Sequence, residues 1–310
     1  MANALRKTID GATDEKTVLR VLKPDKKQWV GDGFHVSTMF SPHTIDHQLT
    51  SPFLLLDYAH PCRFEPSTAN RGVGAHPHRG FETVTFALQG SIEHRDSAGG
   101  GGIIGPGDVQ WMTAGSGIIH EELHSKKFKE TGGTLEMIQL WVNLPADRKG
   151  TQPSYQALKN KDFPRIQISH NMGYAEIISG TYSNHTSEKG PARTHTEISI
   201  FFLNIEKSGL LNLPIAPQTN TLILQLNGQS KIAEHNLLNG EMAIISMSSS
   251  DISIQSQASS RLLVMNGQPI NEPVVAYGPF VMNKKSEIIA AIRDYEEGQM
   301  GALVKEENKG

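Results

Sequence analysis

His76-Pro77-His78 and His120-Glu121-Glu122 each set two metal-type side chains two residues apart. Positions i and i+2 of a β-strand share a face, so two neighbouring strands would aim three imidazoles and one carboxylate at a single point. Three neutral nitrogens and one anionic oxygen suit a divalent transition metal such as iron, manganese, nickel or copper. Four protein ligands on an ion that prefers six leave room for water, substrate or dioxygen. His76, His78, His120 and Glu122 therefore predict a reactive centre rather than a structural one. Glu121 has the opposite parity and should point away. His124 shares the ligand parity but lies roughly 7 Å beyond Glu122 along an extended strand, and is expected to be a spectator. Glu82, four residues after His78, is expected on the same face, orienting an imidazole through its second nitrogen. His94, in SIEHRDS, reads as a buried hydrogen-bonding residue. Pro77 cannot donate to a sheet ladder and predicts a strand edge or a bulge.

Strands must carry these residues, and the chain reads as strand almost throughout. Short apolar or alternating runs at Thr83–Leu88, Val109–Met112, Leu135–Leu144, Ile198–Ile205 and Leu222–Leu226 are separated by Gly, Asn, Asp or Pro. That pattern predicts an all-β sandwich or barrel. One helix is expected near Ser286–Glu297, where Ile288, Ile289, Ile292 and Tyr295 recur at helical spacing before Gly298. The stretch from Pro145 to about Gly173 loses the strand pattern and reads as a connection, with a short helix around Tyr155–Lys159. The tail after Gly301 is expected to fray.

A weak internal repeat suggests two related halves. Phe86-Ala-Leu-Gln-Gly90 resembles Leu224-Gln-Leu-Asn-Gly228, and Gly107-Asp-Val-Gln resembles Gly240-Glu-Met-Ala. Counted without gaps, His76 and His78 fall on Pro214 and Ala216, and His120 and Glu122 fall on Ser253 and Gln255. The expected division is a metal-bearing barrel over 1–150, a connection over 151–172, and a copy without ligands over 173–310.

Bulk properties exclude several classes of function. A net charge of −3 over 310 residues, with no basic run, argues against a nucleic-acid surface. The single cysteine, Cys62, allows no internal disulfide and fits a reducing compartment. No run approaches the ~18 apolar residues of a membrane span, and MANALRKTIDGATDEKT has no apolar signal core. A cytoplasmic protein without membrane contact is expected. Gly99–Gly102 lacks the Gly-Lys-Ser/Thr and following helix of a phosphate loop, and is expected to be a hairpin tip. His35, His43, His47, His60, His170, His185, His195 and His235 show no ligand spacing and read as surface or loop residues. Phe53, Phe81, Trp111 and Gln139 are candidate pocket walls.

HPHRGFETVTFALQG followed by GPGDVQWMTAGSGIIHEE resembles the paired signatures of the cupin superfamily, small double-stranded β-barrels with a metal inside. The chain departs from the general pattern. Glu82 to Gly90 is one residue longer, Thr113 stands where proline is common, and the carboxylate follows the last histidine. Those departures are themselves the pattern of the pirin family. HPHRGFETV, PGDVQWMTAGSGIIHEE, MIQLWVNLP, SPFLLLDY and YGPFVMN carry the resemblance over about Gly31–Gly301.

The resemblance implies two tandem cupin barrels with a C-terminal helix, and one mononuclear site on His76, His78, His120 and Glu122. It implies Fe(II), with Mn, Ni, Cu, Co or Zn as substitutes. It further implies cleavage of a flavonol such as quercetin with O2, ring opening releasing carbon monoxide and Glu122 accepting the substrate proton. Pirin-like proteins are also described as non-enzymatic, iron-dependent redox regulators that bind transcription factors or metabolic enzymes, and a buried metal with no room beside it would favour that alternative. A sugar-phosphate isomerase is disfavoured because only Arg79 and Arg95 lie near the site in sequence.

Overall fold

Strand Phe81–Gln89 shows how the architecture follows from parity. Val84, Phe86 and Leu88 face a core shared between the two halves of the chain. Ala87 faces the opposite way, among Phe34, Ile92 and Ile104 inside the strand's own barrel. A strand buried on both faces needs a sheet on each side, and both are present. In the computed structural model, which describes residues 16–24, 26–168, 172–182, 187–247 and 251–304, each half forms one seven-stranded and one four-stranded antiparallel sheet. These are two double-stranded β-barrels in tandem, as the sequence resemblance implied, followed by a C-terminal helix. The two large sheets pack face to face through Phe86, Trp111 and Leu140 on one side and Phe202, Leu224 and Leu263 on the other.

Two elements sit across the halves of the sequence. Val18–Leu22 pairs with Met242–Ile245 in the second large sheet. The C-terminal hairpin Val275–Tyr277/Phe280–Met282 and helix Lys285–Glu296 return to the first barrel. There Phe280, Ile288, Ala291 and Met300 cluster with Ile119, and Val281 with Phe81 and Trp141. Lys149 Nζ fastens the return, donating to the carbonyls of Gly80 at 2.7 Å and Val281 at 3.0 Å and to Asn143 Oδ1 at 2.7 Å. Among the described residues no helix is long and apolar enough to cross a membrane.

The structure corrects three local expectations. Tyr155–Lys159 is not helical: Ser154–Leu158 is an edge strand against Val109–Thr113, with Gln156 and Leu158 buried. Sheet pairing across a long sequence separation overrides the local pattern there. The ungapped repeat register slips by one residue, so Ser253 and Gln255 are exposed. The inward positions of that strand hold Ile252 and Ile254, opposite Leu213 and Leu211. Glu82 does not share the His78 face. The chain reverses at Gly80 (φ +89°), where an added Cβ would come 2.0 Å from the Val281 carbonyl oxygen. Glu82 emerges on the inter-barrel side, accepting from Thr113 Oγ1 at 2.7 Å. His170, His185 and the end of the tail lie outside the described residues.

Glu82 is fully buried, and that burial pushes its carboxyl up to about 7 despite the Thr113 hydroxyl. A folded-state value above the unfolded one means stability present at low pH and lost as pH rises through about 7. Glu82→Gln should therefore gain stability relative to the parent between about pH 4.5 and 7, reaching roughly 3 kcal/mol and then levelling off. Urea unfolding of both proteins across pH 5–8 checks it; a difference that does not change with pH would show that the carboxyl is not the cause.

Candidate metal centre

The four-stranded sheet of the first barrel holds three strands that matter: Gly72–His78 at the edge, Ile118–His124 in the middle and Ile92–Asp96 beyond it. Pro77 is on that edge strand, where its missing N–H costs no ladder bond. His120 stands opposite His76 on one side and Asp96 on the other, and Glu122 stands opposite His94. Between His120 and Glu122 the register slips, the extra residue falling on the Gly74–Ala75 side. That bulge re-aims His76 towards the barrel interior.

His76, His78 and His120 each bring a nitrogen within 4.8 Å of the others, and His94, His120 and Glu122 form a second group within the same limit. Hydrogen bonds decide which ring nitrogen is presented. His76 Nδ1 faces the Gly74 carbonyl at 2.8 Å, and His78 Nδ1 faces the Pro279 carbonyl at 3.4 Å. A carbonyl only accepts, so both Nδ1 atoms carry a proton, and Nε2 is the nitrogen left to present a lone pair from a neutral ring. His120 Nδ1 lies 3.3 Å from His94 Nδ1, while its Nε2 is buried without a hydrogen-bond partner. Burial, and then the neighbouring imidazoles, hold His78 and His120 well below the usual histidine range, so both are neutral. Neutral rings with inward Nε2 atoms are what a transition metal requires. The orphaned His120 nitrogen, which costs on the order of 1–3 kcal/mol unless paired, fits the same occupant.

Glu122 is 3% exposed and is held by the facing sheet. Gln110, Thr85 and Gln139 stand in register on three adjacent strands of that sheet and form a row across it. Gln110 Nε2 donates to Glu122 Oε1, and Gln139 Nε2 donates to Oε2 at 2.8 Å. Thr85 Oγ1 lies 2.9 Å from Glu122 Oε1 and 2.5 Å from Gln139 Oε1, and its single proton serves one of them at a time. Glu121 points away and pairs with Arg95 at 2.5 Å. His124 is buried at the far end, its Nε2 donating to the Gly33 carbonyl at 2.9 Å, consistent with a spectator.

His76, His78 and Glu122 line a cavity of about 240 Å³ whose other walls include Val30, Phe34, Val36, Val73, Met137 and Trp141. Asp57 and Gln139 supply polar points on that apolar surface. Burial raises the Asp57 carboxyl above its ordinary range, against the pull of the Thr38 hydroxyl. Of the candidate walls, Gln139 lines the cavity, and Phe81 stands behind it, stacked on Trp141 at 4.3 Å. Phe53 and Trp111 are instead in the inter-barrel core. Sequence reading missed Met137 and Trp141, although both share Gln139's parity. It also missed Thr85 and Gln110, which only the pairing of distant strands brings to Glu122. His60 is half-buried against Tyr58 rather than on a loop.

Residues 33–142 match the Pirin family and residues 200–301 match the Pirin C-terminal cupin domain. The chain belongs to the pirin family. A Pseudomonas aeruginosa relative, provisionally named as a quercetin 2,3-dioxygenase, is 44% identical over 284 residues, covering 92% of this chain and 98% of its own. Pirin-1 of Arabidopsis thaliana is 36% identical over 268 residues, covering 83% and 86%. A crystal structure of quercetin 2,3-dioxygenase from Acinetobacter baumannii superposes with a TM-score of 0.88 at 44% identity, covering 94% of this pirin and all of that chain. A bacterial pirin from Escherichia coli, solved in complex with nickel(II), shares the fold at a TM-score of 0.61 and 18% identity, over 81% and 99%.

Outer hydrogen bonds that orient metal ligands are worth about 10–100-fold in affinity. Gln139→Ala, which removes the donor on Glu122 Oε2, should weaken Ni(II) binding by roughly tenfold or more. Calorimetric titration of the metal-free protein measures this; unchanged affinity would exclude Glu122 as a ligand that depends on Gln139.

Proposed function

We propose that this pirin is a metal-dependent flavonol dioxygenase of the quercetin 2,3-dioxygenase type, with Fe(II) held by His76, His78, His120 and Glu122. The observation that carries the reading is the inward set of imidazole nitrogens opening into an apolar, aromatic-walled cavity with isolated polar points. A flat, hydroxylated aromatic molecule matches that lining, and dioxygen, small and apolar, enters the same space. At about 240 Å³ the cavity lies just below the about 300–1,000 Å³ usual for small-molecule sites, which limits it to one compact ligand. The names of the relatives at 44% identity point the same way.

The metal, when bound, would lower the pKa of a coordinated hydroxyl and bring substrate and O2 together. The chain supplies the rest. Trp141, edge-on to His78 at 5.3 Å and stacked on Phe81, forms a rigid wall for the substrate rings. Met137, Val36 and Val73 exclude water. Glu122 Oε2 accepts one hydrogen bond, from Gln139, whereas Oε1 stands against both Gln110 and Thr85. Oε2 therefore keeps acceptor capacity for the substrate's hydroxyl proton. Gln139 Nε2 holds that oxygen in place while it accepts the proton.

Fe(II)-loaded protein should consume quercetin and O2 together, and His78→Ala and Glu122→Ala should each lower turnover at least a hundredfold. Loss of flavonol absorbance recorded with oxygen uptake tests this. One tightly bound iron per chain without turnover would refute the flavonol assignment and leave the redox-regulator alternative. Turnover that survives both substitutions would refute the ligand set.

A further inference from the structure

We propose that Asp96 and His94 act as positioning residues that fix the tautomer of His120, so that its Nε2 faces the metal as a bare lone pair. The inference rests on the metal centre of the preceding section but not on the identity of the substrate.

Two of the three histidines have their tautomer set by a carbonyl, a group that can only accept. His120 does not. Its Nδ1 faces His94 Nδ1 at 3.3 Å, and an imidazole nitrogen can play either role. In one arrangement His120 donates and its Nε2 is bare. In the other His94 donates, and His120 carries its proton on Nε2, pointing an N–H at the position a metal would occupy. The local pair does not choose between them.

The far side of His94 chooses. His94 Nε2 lies 3.1 Å from Asp96 Oδ2. The other oxygen, Asp96 Oδ1, accepts the backbone N–H groups of Ala98 at 2.9 Å and Gly100 at 2.8 Å. Two amide donors favour the ionised carboxylate, which has no proton to give. His94 Nε2 must therefore donate, and as a neutral ring His94 then has a bare Nδ1 that accepts from His120 Nδ1–H. The remaining His120 nitrogen is the buried Nε2 without a hydrogen-bond partner. One direction of donation runs through the three groups, from His120 to His94 to Asp96. Both His94 nitrogens are thereby committed, which excludes it as a ligand although it groups with His120 and Glu122.

The surroundings hold this geometry. His94, His120 and Asp96 are almost wholly buried. Tyr155 stacks on the His94 ring at 4.7 Å with an interplanar angle of 15°. Gly100 leaves the space both need: a Cβ there would meet Asp96 Oδ2 at 2.4 Å and Tyr155 Cβ at 2.7 Å. The glycine at the tip of this hairpin thus admits a carboxylate and an aromatic ring to the back of the metal centre.

The deciding measurement needs no variant. Long-range 1H–15N correlation spectra of metal-free protein labelled at histidine should show His120 protonated on Nδ1 and bare at Nε2. A proton on Nε2 would overturn the proposal. Ni(II) titrations add a second test. His94→Leu and Asp96→Asn should each lose about 10–100-fold in affinity. His94→Asn, which leaves an accepting amide oxygen near the former Nδ1, should recover most of it. Equal losses in His94→Leu and His94→Asn would reduce His94 to packing and overturn its role, as would unchanged affinity in His94→Leu. Neither readout uses turnover. Failure on quercetin with these results intact would reject only the flavonol reading.

Discussion

The rest of the structure follows from burying an anion and four imidazoles inside a β-barrel. Polar groups taken out of water cost several kcal/mol unless each finds a partner, and an unpaired charge costs more. The first barrel meets this cost with geometry that strands supply cheaply. Gln110, Thr85 and Gln139 are three residues in one row across neighbouring strands, so a single register satisfies Glu122 from the facing sheet. On the other side, the bulge at Gly74–Ala75 turns a backbone carbonyl towards His76. The second barrel shows the same frame without the constraint. Its inward positions hold Leu211, Leu213, Ile252 and Ile254, and its interior closes on Phe201, Ile223 and Val264.

The pairing also explains why the space beside the first barrel's histidines stays open. An interior filled by hydrogen-bonded polar groups does not collapse as an aliphatic core does, because each side chain is held at a fixed distance from its partner. Glu122 is tied to one sheet and His120 to a chain of partners in the other. The space between them and the apolar rim stays open. In the second barrel branched aliphatic side chains such as Ile223, Ile252, Ile254 and Val264 pack together in the interior.

Much of this was legible in the sequence. The i, i+2 parity of His76/His78 and His120/Glu122 put all four on inward faces, and Pro77 marked the sheet edge. The C-terminal helix was placed within one residue at each end, although its buried face is Ile288 and Ala291 while Ile289 is exposed. What parity could not see is where the chain reverses or slips. Gly80 moved Glu82 to the opposite face, a shift of one residue in the repeat exchanged Ser253 for Ile252, and strand pairing made Ser154–Leu158 extended. The partners of the site were illegible for a different reason. Thr85, Gln110 and Pro279 have no ligand spacing, and each acts through a contact made only by folding. His94 was read as a buried hydrogen-bonding residue, which it is; that its partners are His120 and Asp96 depends on the register of three strands.

The carbonyl that orients His78 belongs to Pro279, roughly 160 residues after Glu122 in the chain. Its hairpin and helix come from beyond the second barrel to wall the first. At translation speeds of about 5–20 residues per second, the nascent first barrel spends on the order of ten to thirty seconds with one histidine unoriented and that wall missing. Metal captured in that interval would meet a looser, more exchangeable set of donors. The order of synthesis thus leaves the wall beside His78 to be completed only after the second barrel has been made.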